Sequence, residues 1–119
     1  MSNNVVKTEF GYEITWSKTD NYTSKIIVFE SPKKTSMHYR DLTDRSWFVN
    51  SGNFRFRWID TKDGKIYQQD CAEGSTFHAP KKMPISYECV ASNGSLSETS
   101  TTTVEDDIRV IIPAENIGN

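Results

Sequence analysis

The sequence is poor in the features that define several large classes of protein. It has only two cysteines among 119 residues, too few for a disulfide framework. No apolar run approaches the length of a membrane span. The net charge of −2 provides no basic surface for nucleic acid or for an anionic membrane. We therefore expect neither a nucleic-acid partner nor a membrane partner.

The first ten residues also lack an export pattern. MSNNVVKTEF contains no basic region followed by an apolar stretch, so we expect no secretory signal and predict a cytoplasmic location. In that reducing compartment Cys71 and Cys89 are expected to be free, partly buried thiols and not a disulfide.

Aromatic side chains, in contrast, are plentiful. Three Trp, five Tyr and six Phe can fill the core of a chain this short, which otherwise has little volume to bury. The length fits one compact domain. We therefore predict a single domain over residues 1–119, with a core at roughly residues 10–112.

Short runs of alternating apolar character, separated by turn residues, recur along the chain and predict an all-β protein. Helix signals are weak throughout. The predicted strands cover residues 11–16, 25–29, 35–40, 46–50, 54–58, 85–90 and 108–112, and residues 95–103 suit either a strand or a loop. Eight or so short strands with frequent turns favour a sandwich or a closed antiparallel barrel such as a jelly roll.

The segment at residues 54–58 shows the alternation most clearly. Phe54, Phe56 and Trp58 share one face, and we expect that face to be in the core. Arg55 and Arg57 share the other face, which is predicted to be solvated.

One stretch, SMHYRDLTDRSWFVNSG from Ser36 to Gly52, resembles the first motif of the cupin superfamily, in which two histidines and a glutamate precede a glycine. Counting back from Gly52, His38 occupies the first histidine position and Arg40 the second. Arg45 occupies the position of the glutamate.

The second cupin motif is also recognisable in outline. It aligns from Gly74 through Pro80, with Lys82 at its later glycine and Ile85 at its metal-binding histidine. The flanking sequences, GYEITWSKTDNYTSKIIVFE near the start and EDDIRV near the end, are similar to small cupins related to the C-terminal half of bacterial mannose-6-phosphate isomerases. The resemblance covers roughly residues 10–110.

The resemblance implies a cupin-type antiparallel β-barrel, that is, a jelly roll or double-stranded β-helix. It also implies a homodimer, since barrels of this type often add the N-terminal strand of one subunit to the sheet of the other.

The substituted ligand positions argue against a metal ion. A cupin site needs three neutral imidazoles and a carboxylate around a divalent ion. The guanidinium groups of Arg40 and Arg45 offer only hydrogen-bond donors and would repel a cation. We therefore predict no metal and no other cofactor.

The same side chains suit an anion. Strand alternation places His38 and Arg40 on one face and Arg45 and Trp47 on one face of the next strand, and the resemblance implies that these faces and Tyr87 line the barrel interior. Arginine binds carboxylate and phosphate oxygens bidentately. We predict that His38, Arg40, Arg45, Trp47 and Tyr87 bind a small organic anion, a sugar or a sugar phosphate without metal.

Three alternatives remain open at this point. In the first, Arg40 and Arg45 form structural ion pairs with Asp41, Asp44 or Glu13 and bind no ligand. In the second, the protein is a sugar, sugar-phosphate or nucleotide-sugar isomerase or epimerase, with His38 as base and Tyr87 as acid; the arginines would then stabilise enolate charge. In the third, the chain is a non-catalytic structural or dimerisation domain.

Overall fold

The computed structural model describes residues 4–101 and 107–118, and they form an all-β structure. Two antiparallel sheets pack face to face. The strands are β1 (Val5–Lys7), β2 (Gly11–Lys18), β3 (Tyr22–Phe29), β4 (Met37–Arg40), β5 (Arg45–Ser51), β6 (Phe54–Ile59), β7 (Ile66–Cys71), β8 (Thr76–Ala79), β9 (Ile85–Cys89), β10 (Gly94–Thr101) and β11 (Ile108–Ile112), and a short 3-10 helix covers Ala114–Asn116. One sheet has the order β1-β2-β3-β10-β5-β8 and the other has the order β11-β4-β9-β6-β7.

The core lies between the two sheets, and strands β5 and β10 show this most clearly because they alternate between buried and more exposed residues. In β5, Trp47 and Val49 are buried while Ser46 and Phe48 are exposed. The aromatic rings that the composition supplies in abundance meet in this core, for example as the edge-to-face pair of Phe29 and Phe54 at 5.3 Å. The all-β prediction and the jelly-roll prediction are confirmed.

All seven predicted strands overlap observed strands, and their ends differ by at most three residues. The ambiguous segment at residues 95–103 is strand over Gly94–Thr101, and its last two residues lie outside the described part. Strands β1, β7 and β8 were not predicted from the sequence. In β7 all residues but Cys71 are exposed, so no buried face produces an alternating pattern.

The prediction for Arg57 was wrong. Phe54 and Phe56 are fully buried as expected, but Arg57 is only 3% exposed. Its Nη1 donates to Oε1 of Glu88 on the neighbouring strand β9 at 2.8 Å. A carboxylate on the adjacent strand therefore compensates the guanidinium, and such a cross-strand partner is not visible from strand parity alone.

The two cysteines are free and buried, as expected, and the sheet register explains why they cannot form a disulfide. Both lie directly opposite Phe54, Cys71 on one side and Cys89 on the other. Two strand spacings of about 4.8 Å put their Cα atoms roughly 10 Å apart, beyond the reach of a disulfide. Burial raises the pKa of both thiols.

Within the described residues, no helix combines the length and the apolar character that crossing a bilayer would require.

Candidate functional site

A cavity of about 520 Å³ receives side chains from both sheets. The six-stranded sheet contributes charged residues of β2, β3, β10 and β5, and the five-stranded sheet contributes residues of β4, β9 and β11. The polar and charged side chains on its walls include Glu13, Lys25, His38, Arg40, Arg45, Tyr87 and Glu98. The C-terminal segment at residues 113–115 also borders the cavity, and Lys34 holds its far end by donating from Nζ to the carbonyl of Ile117 at 2.8 Å.

His38 is held between two partners that fix its tautomer. Its Nδ1 lies 2.9 Å from the carbonyl oxygen of Ser36, and its Nε2 lies 3.1 Å from Nη1 of Arg45. A guanidinium can only donate, so Nε2 accepts and the proton resides on Nδ1, which donates to the carbonyl. Burial and the charge of Arg45 lower the pKa of His38 to about 4. The ring is therefore neutral at physiological pH.

Arg45 is a buried cation, and it forms no ion pair within the part of the chain that the structure describes. Its guanidinium carbon lies 5.0 Å from the ring centroid of Trp47, within cation–π distance. Its buried Nε has no hydrogen-bond partner among the described residues. Burial lowers the pKa of Arg45, an effect that the charge of Glu98 opposes.

Arg40 is paired, but not with the partners expected from the sequence. Its Nη1 lies 2.7 Å from Oδ1 of Asp107, and Oδ2 of that carboxylate accepts from the Thr43 hydroxyl at 2.8 Å. Burial alone would raise the pKa of Asp107, but hydrogen bonds from Thr43 and Arg40 hold it below its usual value. Arg40 is therefore ion-paired, though with none of the three acids that the sequence suggested, whereas Arg45 forms no ion pair among the described residues.

The expected acidic partners are engaged elsewhere. Asp41 pairs with Arg109 at 3.8 Å, Asp44 with His78 at 2.6 Å and Glu13 with Lys25 at 3.0 Å.

Glu98 is a buried carboxylate on the cavity wall that the sequence analysis missed. Its Oε1 accepts from the indole N–H of Trp47 at 2.8 Å, and its Oε2 lies 3.7 Å from Nζ of Lys25. The sequence does contain a signal that Glu98 faces the interior, because Glu98 shares its parity on β10 with Leu96, which is fully buried. The Ser/Thr-rich composition obscured that alternation.

Tyr87 lies on the cavity wall, and its ring packs against Trp47 and Phe56. Burial, together with the negative charge of Glu98, raises the pKa of its phenol, which stays protonated. Of the five predicted binding residues, the structure brings His38, Arg40, Arg45 and Tyr87 to the cavity. Trp47 lies behind the wall, in contact with Arg45 and Glu98.

The residues at the four cupin ligand positions do not fit a metal ion. His38 and Ile85 are directly opposite each other on β4 and β9, and His38 contacts Arg45 across the barrel, so three of the four positions do converge. However, this set offers one imidazole, two guanidiniums and an alkyl chain. Across residues 4–101 and 107–118, no three His, Cys, Asp or Glu side chains form a group that could hold a metal ion.

The two-sheet barrel with a polar cavity between its sheets is the cupin fold, and comparison with solved structures supports this. The chain is similar to the capsular polysaccharide assembling protein CapF from Staphylococcus aureus, with a TM-score of 0.82 and 12% identity over 91% of this chain and 31% of that chain. It is also similar to oxalate decarboxylase from Bacillus subtilis, with a TM-score of 0.77 and 17% identity over 90% of this chain and 29% of that chain.

A third similar structure is KdgF from Halomonas sp., with a TM-score of 0.69 and 14% identity over 80% of this chain and 81% of that chain. The chain thus spans about a third of the length of CapF and of oxalate decarboxylase and most of the length of KdgF. No family profile and no curated protein matches the sequence. The narrower resemblance to mannose-6-phosphate isomerases receives no support from these comparisons and stays a prediction.

Proposed function

We propose that the protein binds a small organic anion, a sugar or a sugar phosphate in the barrel cavity, without a metal ion. The observation that supports this most directly is Arg45, a buried guanidinium at the cavity with no carboxylate partner among the described residues. The acceptor on His38, the ring of Trp47 and the charge of Glu98 compensate this cation only in part, and a buried charge without an ion-pair partner is costly. A carboxylate or phosphate oxygen of a ligand would supply that partner.

Two further features support a ligand in this position. A volume of about 520 Å³ is in the range of small-molecule sites. Two of the similar structures are of proteins whose names refer to a capsular polysaccharide and to oxalate, a saccharide and a small carboxylate. At these identities the likeness concerns the fold alone, so the proposal rests on Arg45.

The experiment is a thermal-shift screen with divalent cations, inorganic phosphate, sugar phosphates, small carboxylates and neutral sugars, alongside metal analysis of the purified protein. A ligand that binds only the folded state at 100 times its Kd stabilises it by about 2.7 kcal/mol. We expect stabilisation by an anion or sugar and not by a divalent cation. Stoichiometric metal, or stabilisation by one divalent ion, would refute the metal-free proposal.

The position of the site is tested by changing both arginines. The double variant Arg40→Ala with Arg45→Ala is expected to lose binding of whichever compound stabilises the parent. Arg55→Ala is the matched control, because Arg55 pairs with Asp70 on the outer surface, away from the cavity. Equal binding by the parent and a folded double variant would place the site elsewhere.

An isomerase or epimerase remains the second candidate. The observation in its favour is that His38 and Tyr87 line the same cavity. The lone pair of His38 Nε2, however, already accepts from Arg45, and a pKa near 4 makes the imidazole a weak base at neutral pH. Exchange of solvent deuterium into a sugar or sugar phosphate would support this candidate, and binding without exchange would reject it for that compound.

We also propose a homodimer that forms through β1. Among residues 4–101 and 107–118 this strand pairs with β2 alone, at the edge of its sheet, and its Val5 and Val6 are exposed. An exposed apolar edge strand is a template for pairing with another chain. Light scattering after size exclusion is expected to give twice the 13.6 kDa chain mass, and Val6→Lys should shift the population to the monomer.

A further inference from the structure

We infer that the ligand is a hydroxylated monocarboxylate, of the sugar-acid type, and not a sugar phosphate. This inference rests on the proposed function and narrows it to one chemical class. It is carried by the arrangement of charge around the cavity and by the hydrogen-bonding groups that Glu98 and Tyr87 present to it.

The cavity does not carry an excess of positive charge. Its walls include four cationic side chains, Lys25, Lys34, Arg40 and Arg45, and four carboxylates, Glu9, Glu13, Glu98 and Glu115. Because His38 is neutral, it adds no charge near physiological pH.

The cations are also unequally available. Arg40 is neutralised by Asp107, and Lys25 lies between Glu13 and Glu98. Lys34 is only partly buried, and its Nζ donates to the carbonyl of Ile117. Arg45 is therefore the buried cation of the cavity that is left to pair with a ligand among the described residues. One such charge matches one carboxylate, whereas a phosphate monoester carries about −1.5 to −2 at pH 7. The nearby carboxylate of Glu98 would repel the additional charge of a phosphate.

The hydroxyl groups of a ligand need hydrogen-bond acceptors and donors, and Glu98 and Tyr87 provide them. Oε1 of Glu98 is occupied by the indole of Trp47, but Oε2 lies 3.7 Å from Lys25, longer than a hydrogen bond, and can accept from a ligand hydroxyl. The phenol of Tyr87 can donate to or accept from a second hydroxyl. A simple carboxylate without hydroxyl groups would leave these groups unpartnered, and unpaired buried polar groups lower affinity.

The experiment compares ligands that share a ring and differ at one carbon. For each of the gluco, galacto and manno configurations, the hexose carries a neutral hydroxymethyl group, the hexuronate a carboxylate and the hexose 6-phosphate a phosphate. Titration calorimetry of the full chain at pH 7 and about 0.15 M salt gives the Kd of each compound, and acetate serves as the carboxylate without hydroxyl groups.

At least one hexuronate is expected to bind more tightly than its hexose, its 6-phosphate and acetate. A charge-assisted hydrogen bond that is present only in the uronate complex corresponds to a preference of roughly tenfold to a hundredfold. A 6-phosphate or a neutral hexose that binds as tightly as the uronate would overturn this inference and leave the proposed function standing. Absence of binding by all of these compounds and by the broader screen would overturn both.

Two variants test whether Arg45 and Glu98 produce the preference for the uronate. Arg45→Gln is expected to abolish the preference for the uronate over the hexose, and Glu98→Gln to weaken both ligands by removing a hydroxyl acceptor. The matched controls are Arg55→Gln and Glu73→Gln, whose side chains lie outside the cavity. An unchanged uronate preference in a folded Arg45→Gln variant would refute the role of Arg45. Should that variant fail to fold, the ligand series on the parent protein still decides the class.

Discussion

Nε2 of His38 accepts a hydrogen bond from Nη1 of Arg45 at 3.1 Å, and this contact joins two positions that hold metal ligands in the cupin motif. The lone pair of His38 Nε2 that would coordinate a metal ion accepts a hydrogen bond from a guanidinium instead, and a guanidinium only donates hydrogen bonds. The consequence is a neutral histidine of fixed tautomer beside a buried cation. These groups do not suit a cation, and they support the proposal of an anionic or hydroxylated ligand.

The depressed pKa of His38 predicts a specific loss of stability in acid. The folded protein resists protonation down to about pH 4 while the unfolded histidine titrates near 6.5, so the unfolded state binds more protons between these values. The free energy of unfolding therefore falls as the pH falls from about 6.5 to 4, by up to roughly 3 kcal/mol from this group. Urea unfolding across this range, followed by tryptophan fluorescence, measures the slope.

His38→Gln is expected to flatten that slope, because it removes the buried ring whose pKa is lowered. The carboxylates with lowered pKa values, including Asp107, act in a different window, because their contribution is lost only as the pH falls below about 4. A slope between pH 6.5 and 4 that is the same in His38→Gln and in the parent would contradict the assignment.

The Arg40–Asp107 pair predicts a large cost for removing one partner. Asp107→Asn would leave the half-buried guanidinium of Arg40 without its charge partner, and breaking such a buried pair costs about 3 to 5 kcal/mol. Asp70→Asn is the control, because the Arg55–Asp70 pair is largely exposed and is expected to cost at most about 1 kcal/mol. Denaturant unfolding of the two variants compares them directly. Equal costs would mean that the Arg40–Asp107 pair is solvated in solution.

Gly52 and Gly64 both have a positive φ, but of these two only Gly52 also lies too close to neighbouring backbone for a side chain. A Cβ at Gly52 would lie 2.6 Å from the carbonyl oxygen of Asn93, whereas a Cβ at Gly64 would meet nothing within 4 Å. Gly64→Ala is therefore expected to cost about 1 to 2 kcal/mol from the left-handed backbone alone. Gly52→Ala is expected to cost at least about 3 kcal/mol, because backbone must also move. Thermal unfolding that ranks the two variants equally would contradict the close approach at Gly52.

The hydrogen bond from Trp47 to Glu98 predicts a cost for removing the indole N–H. Trp47→Phe keeps an aromatic ring but leaves Oε1 of the buried Glu98 without its donor, at a cost of about 1.5 to 3 kcal/mol. Trp16→Phe is the control, because Trp16 is 61% exposed and is expected to change stability by less than about 0.5 kcal/mol. Chemical denaturation gives both values. A neutral Trp47→Phe variant would argue against this contact.

The sequence predicted the strand faces of the site residues, because these depend on short-range parity. His38 and Arg40 share a parity on β4, and Arg45 opens β5. That these faces would meet in one interior was implied by the resemblance to the cupin motif, and the three side chains do line one cavity. Glu98 shares its parity with the buried Leu96, but nothing in the local sequence shows that β10 lies between β3 and β5, which brings Glu98 to the indole of Trp47.

Expectations about charge likewise failed where they depended on which strands lie next to each other. The sequence shows that Arg40 and Arg57 need compensation if they are buried, but not which carboxylate provides it. Asp107 reaches Arg40 because β11 pairs with β4 in a register that places Ile108 opposite Arg40. Glu88 reaches Arg57 across the β6–β9 pair in the same way.

The sequence by itself determined the all-β class and the positions of most strands, because alternation is a local property. The tertiary structure alone decided that Arg40 is paired, that Arg45 is not paired among the described residues, and that His38 is neutral. Ion pairing and pKa values depend on burial and on distances of a few ångströms between residues far apart in the chain, and only the packing of the two sheets sets those distances.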